Sequence, residues 1–209
     1  IFSLFIAINN KIPIFIVGKP GCSKHLSVQL IIKAMKGNSS NNLLFKQFPK
    51  IILYSYKGSM NNTSQGLEKV FKKARKTFEN LSLEDKKNNI ITIIFDKMGL
   101  ADHSPNNPLE IINSELEHDL NEGNNKIAFV GISNWALDDS KMNCGLYLSM
   151  LEPEEEDIKN TALTIGKSYD YRLGELNKTL FENLGLIYSK YKNHLSSKYY
   201  DDKKKEFHG

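Results

Sequence analysis

Over the first 150 residues, short apolar runs alternate with stretches in which apolar positions recur every three to four residues. The runs are 12–17, 51–56, 90–95, 127–132 and 146–149, rich in Ile, Val, Phe and Tyr. Runs of this length and composition predict strands. Strands apolar at consecutive positions predict a parallel sheet covered on both faces. Leu26, Leu30, Ile31, Ala34 and Met35 follow a helical period that stops before Gly37, as a glycine terminus predicts. Leu67, Val70, Phe71, Ala74 and Phe78 repeat that period with lysines on the outer face, and 108–120 form a third helix with Pro near its start. The opening IFSLFIAI is broken by Asn9, Asn10 and Lys11. It is too short for a membrane span and lacks the basic flank of a signal peptide, so it predicts a helix packed on the core.

Beyond about residue 150 the texture changes. Glu154 to Asp157 form an acidic stretch that suits a helix N-terminus. Leu173, Leu176, Leu180, Leu184 and Ile187 then fall on one helical face. The expected organisation is therefore an α/β domain over 1–150 and an all-helical subdomain over 151–209. The charged tail 201–205 is expected to be solvated.

Composition narrows the function classes. The chain has 209 residues, 40 % hydrophobic and 25 % charged, which excludes collagen-like and wholly disordered classes. Its 28 basic and 24 acidic residues leave a net charge of +4. That mild excess, without basic stripes, argues against a nucleic-acid partner. Nearly all the basic residues are lysine, and the arginines are Arg75 and Arg172 alone. Cys22 and Cys144 can form neither a disulfide framework nor a four-ligand zinc site, which fits reduced thiols and a cytoplasmic setting. His103, His118 and His194 share no ligand spacing. A chain that opens on Ile1 reads as an internal segment of something longer.

The strongest chemical motif is Gly18-Lys19-Pro20-Gly21-Cys22-Ser23-Lys24-His25, placed after a strand and before a helix. That is the context of a P-loop, whose backbone N–H groups and helix N-terminus face phosphate while a lysine reaches its oxygens. The usual pattern is G-x-x-x-x-G-K-[ST]. Gly18 and Lys24 fit it. Ser23 stands at the second glycine, and His25 stands at the hydroxyl that binds Mg²⁺. The plain alternative is a Gly/Pro turn with an incidental lysine.

The run 90–95 leads into Asp96, as in a Walker B strand whose carboxylate holds Mg²⁺ through its water shell. The alternative is a carboxylate that only caps the turn. Lys97 follows, where the general base would stand, and an ammonium cannot accept a proton. The run 127–132 ends in Ser133-Asn134. There the Asn134 amide is a sensor-like group, able to orient water or touch the γ-phosphate. Ligands of open α/β sheets bind at such strand ends.

Val17-Gly18-Lys19-Pro20-Gly21-Cys22-Ser23-Lys24, Gly99-Leu100-Ala101-Asp102-His103-Ser104-Pro105 and Phe129-Val130-Gly131-Ile132-Ser133-Asn134-Trp135-Ala136-Leu137-Asp138 carry a closer resemblance. Together with Lys141-Met142-Asn143 they resemble an AAA+ module of mysterin-like proteins, the very large AAA+ and RING-finger E3 ubiquitin ligases. The resemblance implies a P-loop NTPase fold of AAA+ type: a five-stranded parallel sheet with flanking helices, then a helical lid. Phe207-His208-Gly209 resembles the start of a lid motif, so the lid would be partial. Trp135 would pack between the strand end and that lid.

The resemblance also implies a degenerate site. Active members of the family carry Ser at the position of His25, Glu at that of Lys97, and an arginine finger at that of Cys144. The expectation is a module that binds ATP or ADP, with Mg²⁺ doubtful and hydrolysis impaired, kept as a scaffold or static nucleotide-binding unit. Two alternatives stand beside it: an active ATPase module completed by its neighbours, and a decayed gene fragment. The implied partners are adjacent AAA+ modules, with ubiquitin machinery reached only through the parent protein.

Overall fold

The computed structural model describes residues 1–121, 126–169 and 178–198. Each of the five apolar runs forms a strand: β1 (Ile14–Val17), β2 (Lys50–Lys57), β3 (Asn89–Asp96), β4 (Ile127–Ser133) and β5 (Leu146–Ser149). All neighbouring pairs are parallel, in the order β2-β3-β4-β1-β5. The three inner strands are buried along nearly their whole length, whereas β2 and β5 are half open at the sheet edges.

Strand pleating sends alternate side chains to opposite faces, and two cores result. Phe15, Val17, Ile91, Ile93, Phe95, Ile127 and Phe129 point to one face. There they meet α3 (Ser64–Asn80), α5 (Met98–Asp102), α6 (Glu110–Asn121) and α7 (Asp139–Met142) through Leu67, Phe71, Met98, Ile112 and Met142. Ile14, Ile16, Ile90, Ile94, Ala128, Val130 and Ile132 point to the other face, against α1 (Phe2–Asn9) and α2 (Lys24–Ala34). The apolar opening segment is thus a core helix, with Leu4, Ala7 and Ile8 buried. A short α4 (Leu83–Asn88), capped by Ser82, leads into β3.

The chain divides into two compact units, Ile1–Gly18 with Ser23–Met150, and Lys19–Cys22 with Leu151–Gly209. In the second unit α8 (Glu155–Tyr169) packs on α9 (Lys178–Lys198). The packed face differs from the leucine stripe of the sequence. Leu180, Leu184 and Ile187 are exposed, while Gly185 and Ser189 are buried and Phe181 half-buried. The physical reason lies in two glycines. A Cβ on Gly185 would sit 2.8 Å from the Lys159 Cα, and one on Gly166 would sit 2.6 Å from the Phe181 ring. The helices approach closely where side chains are missing, which turns the leucines outward. Leu173, Leu176, Arg172 and the tail 201–209 lie outside the described residues.

Candidate functional site

The site grows from the carboxyl ends of β1, β3 and β4. Gly18 follows β1, and its amide donates to the Ser133 carbonyl at the end of β4. A Cβ there would sit 2.8 Å from Met150, so the chain passes through a slot that only glycine fits.

Among the tip residues Lys19, Pro20, Gly21 and Cys22, Gly21 takes φ +90° and the Cys22 amide donates to the Lys19 carbonyl. The Lys19 ammonium pairs with Glu152 of the same unit, and Cys22 is buried. The loop ends on Ser23, the N-cap of α2, at φ 58° and ψ 21°. This is left-handed backbone, where glycine is the residue without strain. The serine at the motif's second glycine position therefore holds the conformation that glycine would hold. Its side chain makes no cap hydrogen bond.

Lys24 opens α2 and is buried, an unusual setting for lysine. Its ammonium donates back to the Gly18 carbonyl. The ammonium is thereby held at the mouth of the loop, close to the amide-lined helix start that favours anions.

Asp96 ends β3, with its side chain 21 % exposed. The Nε2 of His25 lies 3.1 Å from its Oδ1. The contact is close, but its direction is not that of a hydrogen bond, and the buried Oδ1 has no hydrogen bond among the described residues. A nitrogen thus stands where a P-loop presents a hydroxyl, against the oxygen that would face the metal's water shell. Mg²⁺ takes oxygen ligands in near-ideal octahedral geometry. These residues do not fit it, and among the described residues no group of three His, Cys, Asp or Glu side chains could hold a metal ion.

Lys97 is exposed and also left-handed, at φ 54°. Asn134 is exposed just past β4. Ser133 pins this turn by donating its hydroxyl to the Trp135 carbonyl at 2.6 Å. The Trp135 ring covers Gly99 of α5 and lies 5.6 Å from the His103 ring. Within the sheet unit, Trp135 is therefore packed at the strand end on α5. Its neighbour on α5 is a glycine, and the open face above that glycine accommodates an indole.

Cys144 is half-buried against the core beside α7. Burial raises its thiol pKa above the ordinary value, its own backbone hydrogen bond opposes this, and the charge of Glu117 adds to the rise. A neutral, half-buried thiol has neither the reach nor the charge of a guanidinium. Sequence reasoning missed two pairs that brace this region. Lys141 pairs with Asp102 across α7 and α5. Arg75 binds the Glu115 carboxylate at 2.5 Å and its carbonyl at 2.7 Å. All four residues stand in the sequence, but only the fold brings them together.

A family model described as the RNF213 AAA domain matches residues 1–157. Mouse RNF213, an E3 ubiquitin-protein ligase, is 36 % identical over 166 residues, and human RNF213 is 34 % identical over 172. These stretches cover 78 % and 80 % of this chain but 3 % of either relative. Among solved structures, the E. coli MS115-1 HORMA:CdnC:Trip13 complex aligns with a TM-score of 0.57 at 14 % identity, covering 89 % of this chain and 62 % of that one. The Aeropyrum pernix ORC2 protein aligns at 0.55 and 13 %, covering 77 % and 49 %. The fold is that of AAA+ P-loop ATPases, and the chain belongs to the family of RNF213 (mysterin) AAA domains.

Proposed function

We propose that this chain is a nucleotide-binding AAA+ module whose own hydrolysis is lost, serving its parent protein as a scaffold or static nucleotide holder. One observation carries the reading: Lys24 is buried at the start of α2, while His25 faces Asp96 and Lys97 follows it. The groups that hold phosphate are retained. The hydroxyl that would bind Mg²⁺, the base that would polarise water and the finger that would complete a neighbour's site are replaced by His25, Lys97 and Cys144. An arginine finger is worth about 10³–10⁵ in rate in other NTPases, and Cys144 supplies none of that charge. The loss of three chemically separate roles weighs more than the loss of any one.

ATP or ADP is the nucleotide this loop chemistry suits. The Aeropyrum pernix ORC2 structure, which shares the fold, is of ADPNP-ADP complexes. Adjacent AAA+ modules are the partners, and ubiquitin machinery is reached through the rest of a mysterin-like protein in the cytoplasm. Among the described residues no helix is long and apolar enough to cross a membrane.

The test compares nucleotide binding and turnover of the chain with those of His25→Ser/Lys97→Glu/Cys144→Arg. Binding with turnover at background supports the proposal. Magnesium-dependent turnover by the unaltered chain overturns it in favour of an active module. A chain that binds no nucleotide favours a decayed copy.

A further inference from the structure

We propose that the His25 imidazole takes the place of magnesium in this site, so that the chain binds ATP or ADP without a divalent cation. The inference rests on the nucleotide-binding reading above and deepens it. A P-loop needs the metal for two reasons. It offsets the repulsion between the Walker B carboxylate and the phosphate oxygens, and it ties both to one point. Here the ring nitrogen of His25 stands 3.1 Å from Asp96 Oδ1, and that oxygen is buried. The imidazole edge lies against that oxygen and stands between it and an incoming phosphate. The ring itself is 55 % exposed, so one edge covers the carboxylate while the rest stays open to a ligand.

Charge points the same way. Lys97 stands where a glutamate is expected, so a second carboxylate that would need a metal's charge is replaced by an ammonium on an exposed residue. Lys24 supplies another cation at the Gly18 carbonyl. The β1–α2 loop and the end of β3 thus carry one shielded carboxylate and two ammonium-bearing residues. A metal would have to displace His25 from Asp96 to enter, and would gain a nitrogen neighbour where it prefers oxygen.

Calorimetric titration of the whole 209-residue chain with ATP and with ADP, once in magnesium and once in EDTA, tests this. The affinity in EDTA is expected to stay within about threefold of that in magnesium, since fixed cations supply the charge. His25→Ala exposes the carboxylate, and about tenfold weaker binding in EDTA is expected. His25→Ala/Asp96→Asn should recover most of that loss, because the charge to be shielded is gone. A merely structural role for His25 would give no such rescue. Binding that requires magnesium in the unaltered chain, or a His25→Ala variant that binds as tightly in EDTA, overturns the inference and leaves nucleotide binding itself standing. Failure to bind under either condition removes both readings.

Discussion

The amide of Gly58 donates to the carbonyl oxygen of Asp96 at 2.6 Å, just where β2 and β3 run out of register partners. The approach is so close that a Cβ on Gly58 would lie 2.0 Å from the Lys97 carbonyl oxygen. That oxygen belongs to backbone already held in a left-handed turn, so it cannot swing aside as a side chain would. Gly58→Ala is therefore expected to destabilise the chain by about 2–3 kcal/mol, at the upper end for overpacking. It should also displace Asp96 and weaken nucleotide binding. Urea unfolding and a titration with ATP check both effects. An unchanged unfolding midpoint would show that the strand ends are looser than this contact requires.

Ser23 presents the opposite case, a side chain where glycine belongs. Its φ of 58° is left-handed and its hydroxyl makes no cap bond, while its carbonyl accepts from the Ser27 amide and hydroxyl. Glycine keeps that carbonyl and removes the clash between Cβ and backbone. Part of the gain is offset by the greater freedom of glycine in the unfolded chain. Ser23→Gly is expected to stabilise by about 0.5–1 kcal/mol, read as a higher urea midpoint. A lower midpoint would mean that the serine hydroxyl holds the loop by another route.

Much of the fold was legible because strand signals here are strong and local. Ile90, Ile91, Ile93, Ile94 and Phe95 can do little other than form a buried strand, and the glycines at 18 and 37 mark boundaries that hydrogen bonding confirms. The turn from Gly18 to Ser23 between β1 and α2 was legible for the same reason, since its residues are consecutive. What stayed hidden depends on approach distances. Nothing in the order of residues says that His25 and Asp96 meet, that Trp135 lies over Gly99, or that α9 packs through Gly185 rather than its leucines. Periodicity tells which positions share a face, but not how near another backbone will come to it.

Arg75 braces α3 against α6. Both it and Glu115 have side chains only 15 % exposed, and the guanidinium lies 5.5 Å from the Phe71 ring. Removing one partner leaves the other charge largely out of water, which costs more than the pair contributes. Arg75→Met is expected to destabilise by about 2–3 kcal/mol, somewhat below the range for fully buried pairs. Arg75→Met/Glu115→Leu should lose less than the sum of the two single changes. A double-mutant cycle on unfolding free energies measures the coupling, and strict additivity would show that the pair is decorative.

The Cys144 thiol offers a pH-dependent readout. Burial raises its pKa above 9.0, the ordinary value taken for a cysteine thiol. Only the thiolate reacts with alkylating agents, so at pH 8 the folded chain should react more slowly at Cys144 than the unfolded chain. The same shift links to stability. The stabilisation is fully present below the unfolded thiol value and is lost as pH rises through the folded one, because the unfolded chain then releases the proton first. In a Cys22→Ser background, iodoacetamide labelling across pH 7–10 should therefore rise later in the native chain than in urea. Labelling as fast in the native chain as in urea at pH 8 would place this thiol in open solvent. It would then contradict the half-buried seat that separates Cys144 from an exposed finger.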